Sequence, residues 1–455
     1  MSSADATTER LTLRSASIPK ASSWDPARLT RTGLAAALLY LLLIPEQFNF
    51  SIQGIYLSPF RIFLICTFPY ILANALKPGF RFVWPDLLIA LGLFWIFLAT
   101  YLNSGGQIVP SLIVGTSHVV DMGLAYFFAR VTIRTPKDLR YFLVFIAPGV
   151  LVTGVLVMIE AFTHRRTIQA LSQAITGNPM YARTDARLGF MRGTASFPHP
   201  ILAGIFLASL FPLYLMAGLR GWPKIVGVIG SGLGAFTMSS AAMLGLVVGG
   251  FLRVYDWLTE RIANLTWRLF FLFAAMSYFV IENTSNTGFY GLLVRYASLN
   301  SASAYNRILI WRYGTENVKN NPWFGIGYED WDRPAWMHSG SFDFFWLILS
   351  LRFGIPNMVF MLGATLVALF MLMRRTRSLP PTDARLIRGL AISLGVFALG
   401  LNSVSLWLST LAWFFMLIGM SVSLGASTPG RTRILSRIPS RLDMATPAQS
   451  AGAST

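Results

Sequence analysis

Arginines gathered in front of a histidine form the segment of this sequence best suited to chemistry. Arg183, Arg187 and Arg192 precede His199 and Pro200, where an apolar segment begins. A guanidinium group is planar, permanently charged and bidentate toward phosphate, and the N-terminus of a helix adds backbone donors for an anion. The spacing therefore predicts a phosphate-binding segment that leads into a helix. Contact with lipid headgroups is the alternative role of these arginines.

A second segment combines aromatic residues, glycines and a histidine. Residues 305–318 have the apolar spacing of a short helix, which the sequence breaks at Pro322. Gly325 and Gly327 then allow the backbone angles of a tight turn. His338 opens a further apolar segment. Because a neutral imidazole can take or give a proton near pH 7, His338 is a candidate general base, with a structural role as the alternative.

The elements that must position these residues are membrane helices. Of the 455 residues, 54% are hydrophobic and 12% are charged, whereas soluble domains carry about 25% charged residues. A helix needs ~20 apolar residues to cross a hydrocarbon core of ~30 Å, and a backbone in lipid must satisfy its own hydrogen bonds. We therefore predict an all-α polytopic membrane protein. The twelve predicted spans lie at about 32–46, 55–76, 86–102, 109–130, 141–162, 198–219, 225–238, 240–257, 268–282, 355–373, 387–403 and 406–425.

The basic residues set the predicted topology. The net charge is +18, and with both termini in the cytoplasm 25 of the 37 Lys and Arg residues fall on the cytoplasmic side. This is the positive-inside pattern, so the charge does not require a nucleic-acid partner. Two more, Arg61 and Arg352, stand at span edges, and the remaining ten lie outside, between residues 163 and 197 and between residues 283 and 340. We predict two long periplasmic loops here, at about 163–197 and 283–354. The predicted regions are a disordered cytoplasmic tail at 1–31, a membrane domain at 32–425 and a basic cytoplasmic tail at 426–455.

Metal and cofactor chemistry has little support in the sequence. Cys66 is the single cysteine, which excludes a disulfide framework and any cluster built from several thiolates. No phosphate-binding Gly-rich loop and no zinc-ligand spacing is present, and we predict no metal and no cofactor. Glu329, Asp330 and Asp332 cluster in the second long loop. They are candidate cation ligands, but a solvated turn or acidic partners for Arg333 is the preferred interpretation.

Two ionisable residues lie inside a predicted span. His118 and Asp121 are three positions apart and so share one face of a helix. Ionisable groups in a membrane are functional candidates. A mutual polar contact is the first interpretation, and a proton relay is the second. The relay, together with twelve spans, would fit a secondary transporter, although the sequence has no convincing internal repeat.

Other candidate ligand-binding residues lie at span edges and in the second long loop. Arg61 stands at the outer edge of the second predicted span. Because an arginine facing lipid there would be costly, we predict that it faces a cavity in the protein. Trp323, Trp331 and Trp336 are placed either to stack on sugars or to anchor at the membrane interface.

Three motifs resemble those of a known group. They read RGTASFPHPILAG, then NRILIWRYG followed by NNPWFGIG, then MHSGSFDFFWLILSLRFGIP. Their order resembles the O-antigen ligase and polysaccharide polymerase superfamily of bacterial membrane glycosyltransferases, over about residues 30–425. The family usually has Ser-Arg with a Trp four positions on, where this chain has Asn306, Arg307 and Trp311. It also has His-Asn where this chain has His338 and Ser339.

The resemblance implies a GT-C-like, metal-independent transferase of the bacterial inner membrane with its site at the periplasmic face. Its donor would be a glycan linked to undecaprenyl diphosphate. Arg192 and Arg307 would hold the diphosphate, and His338 would deprotonate the acceptor hydroxyl. Arg183, Arg187, Arg61, His199 and Trp311 are the further predicted substrate-binding residues. The leading hypothesis is a polymerase of exopolysaccharide or O-antigen repeat units, and the alternative is a ligase that transfers O-antigen to lipid A-core.

Overall fold

The computed structural model shows a bundle of helices with two short hairpins. It describes residues 25–52, 55–179, 186–286, 288, 291, 301–337 and 340–427. Arg183, His338, most of the predicted N-terminal tail and nearly all of the C-terminal tail lie outside these residues. The all-α prediction is confirmed for the described part of the chain.

The first half of the chain alternates helices with the two hairpins. Its helices are α1 (Pro26–Leu42), α2 (Pro59–Cys66), α3 (Phe68–Ala75), α4 (Trp84–Asn103), α5 (Ile108–His118), α6 (Ala125–Thr132), α7 (Pro136–Thr163), α8 (Thr167–Thr176) and α9 (Pro200–Met216). The antiparallel hairpins are β1–β2 (Phe50–Ile52 and Ile55–Leu57) and β3–β4 (Ala186–Arg187 and Phe190–Met191).

The second half is helical throughout its described elements. They are α10 (Trp222–Gly232), α11 (Ser240–Thr259), α12 (Trp267–Thr284), α13 (Ser301–Asn320), α14 (Phe345–Phe353), α15 (Ile355–Arg375), α16 (Pro381–Gly400) and α17 (Leu408–Ala426). A 3₁₀ turn at Leu233–Thr237 extends α10 toward α11.

Local sequence signals explain where many helices begin. Proline occupies one of the first two positions of α1, α4, α7 and α9, where its missing N–H costs nothing. Asp25 caps α1 by accepting the Ala27 N–H, so α1 begins at Pro26 rather than at the predicted residue 32. Thr135 and Asp138 form a capping box at the start of α7.

Among the residues that the structure describes, six helical segments are long and apolar enough to cross a membrane, which supports a multi-pass membrane protein. They are Trp84–Asn103, Ile108–Thr132, Pro136–Thr163, Ser240–Thr259, Ile355–Ser378 and Leu408–Ala426. The apolar helix Pro200–Met216 is shorter. The twelve-span topology stays a prediction.

The structure divides the second and fourth predicted spans. Residues 55–76 contain strand β2 and then two short helices, which are separated at Thr67 in front of Pro69. Residues 109–130 contain α5 and α6 joined by a π-helical turn at Val119–Leu124. The apolar segment 341–352, with twelve residues, is too short to cross a membrane as a helix. It forms α14, whose nine residues rise only about 14 Å.

Two helices lie at the centre of the bundle. In α9 and α17 nearly every residue is buried, as expected for helices that are apolar on all sides. Helix α9 contacts α10, α11 and α16, and α17 contacts α6, α15 and α16. Trp413 of α17 is fully buried and donates its indole N–H to the Ser209 hydroxyl of α9 at 3.0 Å. The N-terminus of each central helix reaches the candidate site.

Candidate functional site

A cavity of about 670 Å³ lies where the two long loops meet the starts of α9 and α17. We call it the arginine cavity, because five arginines line it, together with the carboxylates of Glu46 and Asp343. These arginines are Arg166, Arg187, Arg192, Arg307 and Arg352. Both long loops contribute, so residues more than 100 positions apart in the sequence share one site. Its lining carries a surplus of positive charge and is suited to an anionic ligand.

The first long loop brings Arg192 to the cavity through a tightly fitted backbone. Arg192 is 3% exposed and follows hairpin β3–β4. The next residue, Gly193, donates its N–H to the Phe236 carbonyl at 3.2 Å. A Cβ atom at Gly193 would collide with the Val157 carbonyl of α7, so only glycine permits this approach. Arg187 also lines the cavity and donates to the Met238 carbonyl at 3.3 Å.

His199 connects this loop to helix α9. Its Nδ1 atom accepts the Ile201 N–H at 3.2 Å, so His199 is the N-cap of the helix, with Pro200 at the first position. His199, Pro200 and Ile201 all line the cavity. The start of α9 therefore faces the space between the arginines, and its partial positive charge adds to theirs. The predicted helix N-terminus beside the arginines is confirmed.

The second long loop brings Arg307 through helix α13. This helix ends at Asn320, just before the predicted break. Arg307 is 8% exposed and lines the cavity beside Asn306. Its Nε atom is buried and has no hydrogen-bond partner among the described residues. Leaving a buried charged donor unsatisfied is costly, so the geometry at Arg307 favours an anionic ligand that accepts from it.

The glycine turn that follows α13 is also as predicted. Gly325 and Gly327 have φ angles of +65° and +63°, in the left-handed region that favours glycine. Asn103, at the end of α4, donates its amide to the Phe324 carbonyl at 2.9 Å. Trp95 of α4 donates to the Phe353 carbonyl at 2.9 Å. These contacts fasten the turn and α14 to the bundle and so hold the second half of the cavity wall in place.

A comparison of the sequence with protein families agrees with the arrangement of the arginine cavity. Residues 225–358 match the O-antigen ligase family. The match runs from α10 to the start of α15 and contains the second long loop with Arg307. It confirms the resemblance to the O-antigen ligase and polysaccharide polymerase superfamily, and it indicates an activity of the ligase or polymerase type. A search of curated proteins finds no match to the chain.

Not every predicted site residue lies at the cavity of this O-antigen ligase-like chain. Arg61 does not line it. Both carboxylate oxygens of Asp121 accept from Arg61, at 2.8 Å from Nε and 2.6 Å from Nη2, and we assign this arginine a structural role. Trp311 lies outside the cavity lining as well, with its ring 5.7 Å from that of Phe344. Arg183 and His338 are not described, but Gly340, two positions after His338, lines the cavity.

The expected contact between His118 and Asp121 is replaced by other partners. Asp121 pairs with Arg61. The Nδ1 atom of His118 lies 2.8 Å from the Val114 carbonyl, and its ring packs edge-on against Phe353. The π-helical turn begins directly after His118 and changes the angular spacing that a regular helix would give. Sequence spacing alone could not show this turn.

The acidic and aromatic candidates of the second long loop do not line the cavity, and two of them, Asp330 and Trp331, contact other residues of the loop. Arg333 donates to Asp330 at 2.5 Å, and this hydrogen bond holds the pKa of the Asp330 carboxyl below its usual value. Trp331 is buried against Phe342. Trp323 and Trp336 are exposed but do not line the cavity. The preferred interpretation, an acidic partner for Arg333, therefore fits Asp330.

Several cavity residues were not singled out from the sequence. Glu46, Arg166, Asp343, Arg352 and Trp407 all line the cavity. Arg166 belongs to the ten outer basic residues, so its charge in an outer loop was a usable signal. Trp407 stands in the short connection between α16 and α17, which the sequence shows only as a break between two apolar segments. No sequence pattern indicated that this connection reaches the site.

Proposed function

We propose that this protein polymerises lipid-linked oligosaccharide repeat units, of exopolysaccharide or O-antigen, at the periplasmic face of the bacterial inner membrane. The observation that carries the proposal is the arginine cavity, in which Arg192 and Arg307 converge from the two long loops. The O-antigen ligase family match over the second of these loops supports the same reaction class. The positive-inside distribution supports cytoplasmic termini and an outer cavity.

The donor in this proposal is a glycan linked to undecaprenyl diphosphate. Arg192 and Arg307 bind the diphosphate, and the start of α9 contributes its partial positive charge. As the bond from the anomeric carbon to the diphosphate oxygen breaks, negative charge grows on the leaving group. Guanidinium groups already fixed around that position stabilise this charge in the transition state more than in the ground state. Arg187 and His199 complete the wall of the donor site, and Arg183 is a further candidate.

The acceptor supplies a hydroxyl group. Its oxygen attacks the anomeric carbon, and its proton passes to His338, the proposed general base. The new glycosidic bond forms, and undecaprenyl diphosphate leaves with the bonding electron pair. The chemistry needs no metal and no cofactor, because the arginines carry out the charge stabilisation that a metal would otherwise supply.

The acceptor distinguishes a polymerase from a ligase. A polymerase transfers to another lipid-linked glycan, and a ligase transfers to lipid A-core. The segment from Ser341 to Pro356 resembles that of members associated with exopolysaccharide production, and we therefore favour the polymerase. The secondary transporter loses its main support, because Asp121 is paired with Arg61 rather than with His118.

The test uses purified full-length protein in lipid vesicles. It is given undecaprenyl-diphosphate oligosaccharide, with and without lipid A-core, and the glycans are sized. Longer glycans without core support a polymerase, and modified core supports a ligase. Turnover should persist in EDTA. If the protein transfers no glycan from any lipid-linked donor and instead takes up a solute together with protons, the proposal that it is an enzyme is contradicted.

Variants at two histidines test the general base. His338→Ala should abolish transfer. His164→Asn is the matched control, because His164 is exposed at the end of α7 with φ +58° and asparagine tolerates that conformation. It should retain turnover. Full activity of His338→Ala would remove this residue from the mechanism.

A further inference from the structure

A buried carboxylate next to the arginine cavity has no role in the chemistry described so far. Glu160 lies near the end of α7 and is fully buried. Its Oε2 atom accepts the Thr194 N–H at 2.8 Å, the Ala195 N–H at 3.0 Å and the Thr194 hydroxyl at 3.2 Å. Its Oε1 atom accepts the Thr167 N–H at 3.2 Å. Glu160 therefore holds two separate stretches of the first long loop.

Two neighbouring side chains strengthen this anchor. Arg166 lies 3.5 Å from Oε2 of Glu160 and donates to the Thr194 hydroxyl at 2.7 Å. Gln169 donates to the same hydroxyl at 3.2 Å and also to the Phe197 carbonyl. All three side chains are almost completely buried. Hydrogen bonds to a charged group in such a low-dielectric site are stronger than those between neutral groups.

The backbone that this anchor holds is strained. Ala195 has a φ angle of +49°, in the left-handed region that residues other than glycine, asparagine and aspartate rarely adopt. Such a conformation persists only where its surroundings enforce it, and it is concentrated at functional sites. Here the Ala195 N–H is bound directly by Glu160. The carboxylate thus compensates the strain at the residue that carries it.

The strained turn lies between two residues of the cavity wall. Arg192 stands three positions before Ala195, and His199 stands four positions after it; both line the cavity. Glu160 itself does not. We propose that Glu160 is a positioning residue, whose carboxylate holds the strained Thr194–Ala195 turn and thereby fixes Arg192 in the orientation that binds the diphosphate. This inference rests on the proposed function, because it assigns Arg192 to the donor diphosphate.

A double-mutant cycle separates positioning from general stabilisation. Glu160→Gln removes the charge that holds the turn, so transfer should fall about 10- to 100-fold, with a higher KM for the lipid-linked donor. If Glu160 acts through Arg192, then Glu160→Gln should cost little more in an Arg192→Gln background. If Glu160 only stabilises the fold, the two losses multiply, and the proposal is overturned.

A matched carboxylate elsewhere provides the control. Asp256 of α11 is also fully buried and binds an arginine, Arg388, at 2.5 Å, but it does not line the cavity. Asp256→Asn should lower thermal stability and leave the KM for the donor unchanged. If Asp256→Asn raises this KM as much as Glu160→Gln does, the higher KM of Glu160→Gln is due to lost stability and not to a misplaced Arg192.

Relief of the strain supplies a rescue. Glycine adopts φ +49° without strain, so Ala195→Gly should return part of the lost transfer when it is combined with Glu160→Gln. If Glu160→Gln fails to fold, Glu160→Asp, which keeps the charge but shortens the side chain, replaces it in the cycle. Absence of any rescue in a folded double variant would contradict the role of the turn.

One readout does not depend on catalysis. Hydrogen exchange at the Thr194 and Ala195 amides, measured without substrate, should be slow in the wild type and faster in Glu160→Gln. Unchanged exchange would refute the anchor even if the enzyme is active. If the wild type transfers no glycan while the exchange changes as expected, the proposed function fails and the anchor stands without its role in donor binding.

Discussion

Buried arginines occur in two regions of this protein, and their surroundings differ. In the helical body, Arg61 is 8% exposed and Arg130 is 4% exposed, and each is bound by both oxygens of one aspartate, Asp121 or Asp86. In the arginine cavity, Arg307 is equally buried at 8%, but its Nε atom has no hydrogen-bond partner among the described residues. Arg61 and Arg307 are thus equally buried, and they differ in their hydrogen-bond partners.

The difference separates two uses of the same side chain. A bidentate aspartate satisfies the guanidinium inside the protein, so the pair joins helices: Arg61 links α2 to the turn between α5 and α6, and Arg130 links α6 to α4. The Arg307 guanidinium, which faces the cavity, keeps its Nε donor for a ligand. We therefore assign a structural role to an arginine that a carboxylate of the protein binds, and we propose a ligand-binding role for Arg307, which faces the cavity.

The largest expected effect tests this distinction by changing one arginine in each region. Arg307→Gln should reduce glycan transfer by about 1,000-fold, because it removes a donor that stabilises the leaving charge, while thermal stability stays close to that of the wild type. In Arg61→Gln, the transfer rate per folded molecule should stay near that of the wild type. Its thermal stability should fall, because Asp121 is left buried without its partner. Transfer assays and melting curves on both variants decide the matter; a reversed pattern would refute the distinction.

The Arg130–Asp86 pair sharpens the comparison within the helical body. Asp86→Asn should destabilise the protein by about 3 kcal/mol, because Arg130 remains buried as an unpaired charge. The double variant Asp86→Asn with Arg130→Met should recover much of that loss, since neither charge remains. Thermal unfolding in the same detergent measures both variants. Additive destabilisation by the two substitutions would show that the pair is not coupled.

Sequence analysis predicted which types of residue line the cavity better than it predicted which segments of the chain meet there. Arg192 and Arg307 are in motifs that resemble the family, and both line the cavity. Arg61 does not line the cavity, and the sequence could not show this, because the cost of an arginine in lipid predicts that it is shielded but not which group shields it. The aspartate that binds Arg61 is 60 residues away. The spacing of His118 and Asp121 did not predict the π-helical turn between them, because such a turn has no residue pattern of its own. The turn changes the direction of the Asp121 side chain relative to that of His118.

The anchor at Glu160 lay beyond sequence analysis for a related reason. A glutamate near the end of an apolar helix carries no sign that its oxygens bind a loop more than 30 positions further on. Hydropathy predicted the six described segments that are long and apolar enough to cross a membrane, because hydropathy is a property of short stretches of chain. Contacts between distant segments required the fold.

Trp407 allows a smaller test inside the cavity. Its ring is partly exposed in the cavity wall, with its centre 6.3 Å from that of His199, and an aromatic face is suited to stacking on a sugar. Trp407→Leu should raise the KM for the donor by about 2- to 10-fold. Trp323→Leu is the control, because Trp323 is 66% exposed and does not line the cavity. Equal effects of the two substitutions would argue against a sugar contact at Trp407.

The smallest expected effect concerns the ion pair at Asp330 and Arg333. The Arg333 hydrogen bond lowers the pKa of Asp330, so the pair contributes stability above the ordinary aspartate pKa of about 4. That contribution is lost as the pH falls through the lowered pKa of the folded state. Asp330→Asn should therefore melt slightly below the wild type at pH 7, and the two melting temperatures should converge as the pH falls below that lowered pKa. If the difference in melting temperature between the two proteins grows as the pH falls, the pair does not stabilise the protein through an ionised Asp330, and the assignment of this ion pair is contradicted.

Direct binding of undecaprenyl diphosphate tests the central claim most simply, because it needs neither acceptor nor turnover. Native mass spectrometry of the purified protein would compare the wild type with Arg307→Gln and Arg61→Gln. We predict that the wild type binds the diphosphate, that Arg307→Gln weakens this binding by at least about tenfold, and that Arg61→Gln binds as the wild type does. Equal binding by all three proteins, or loss of binding with Arg61→Gln alone, would contradict the assignment of the arginine cavity as the diphosphate site.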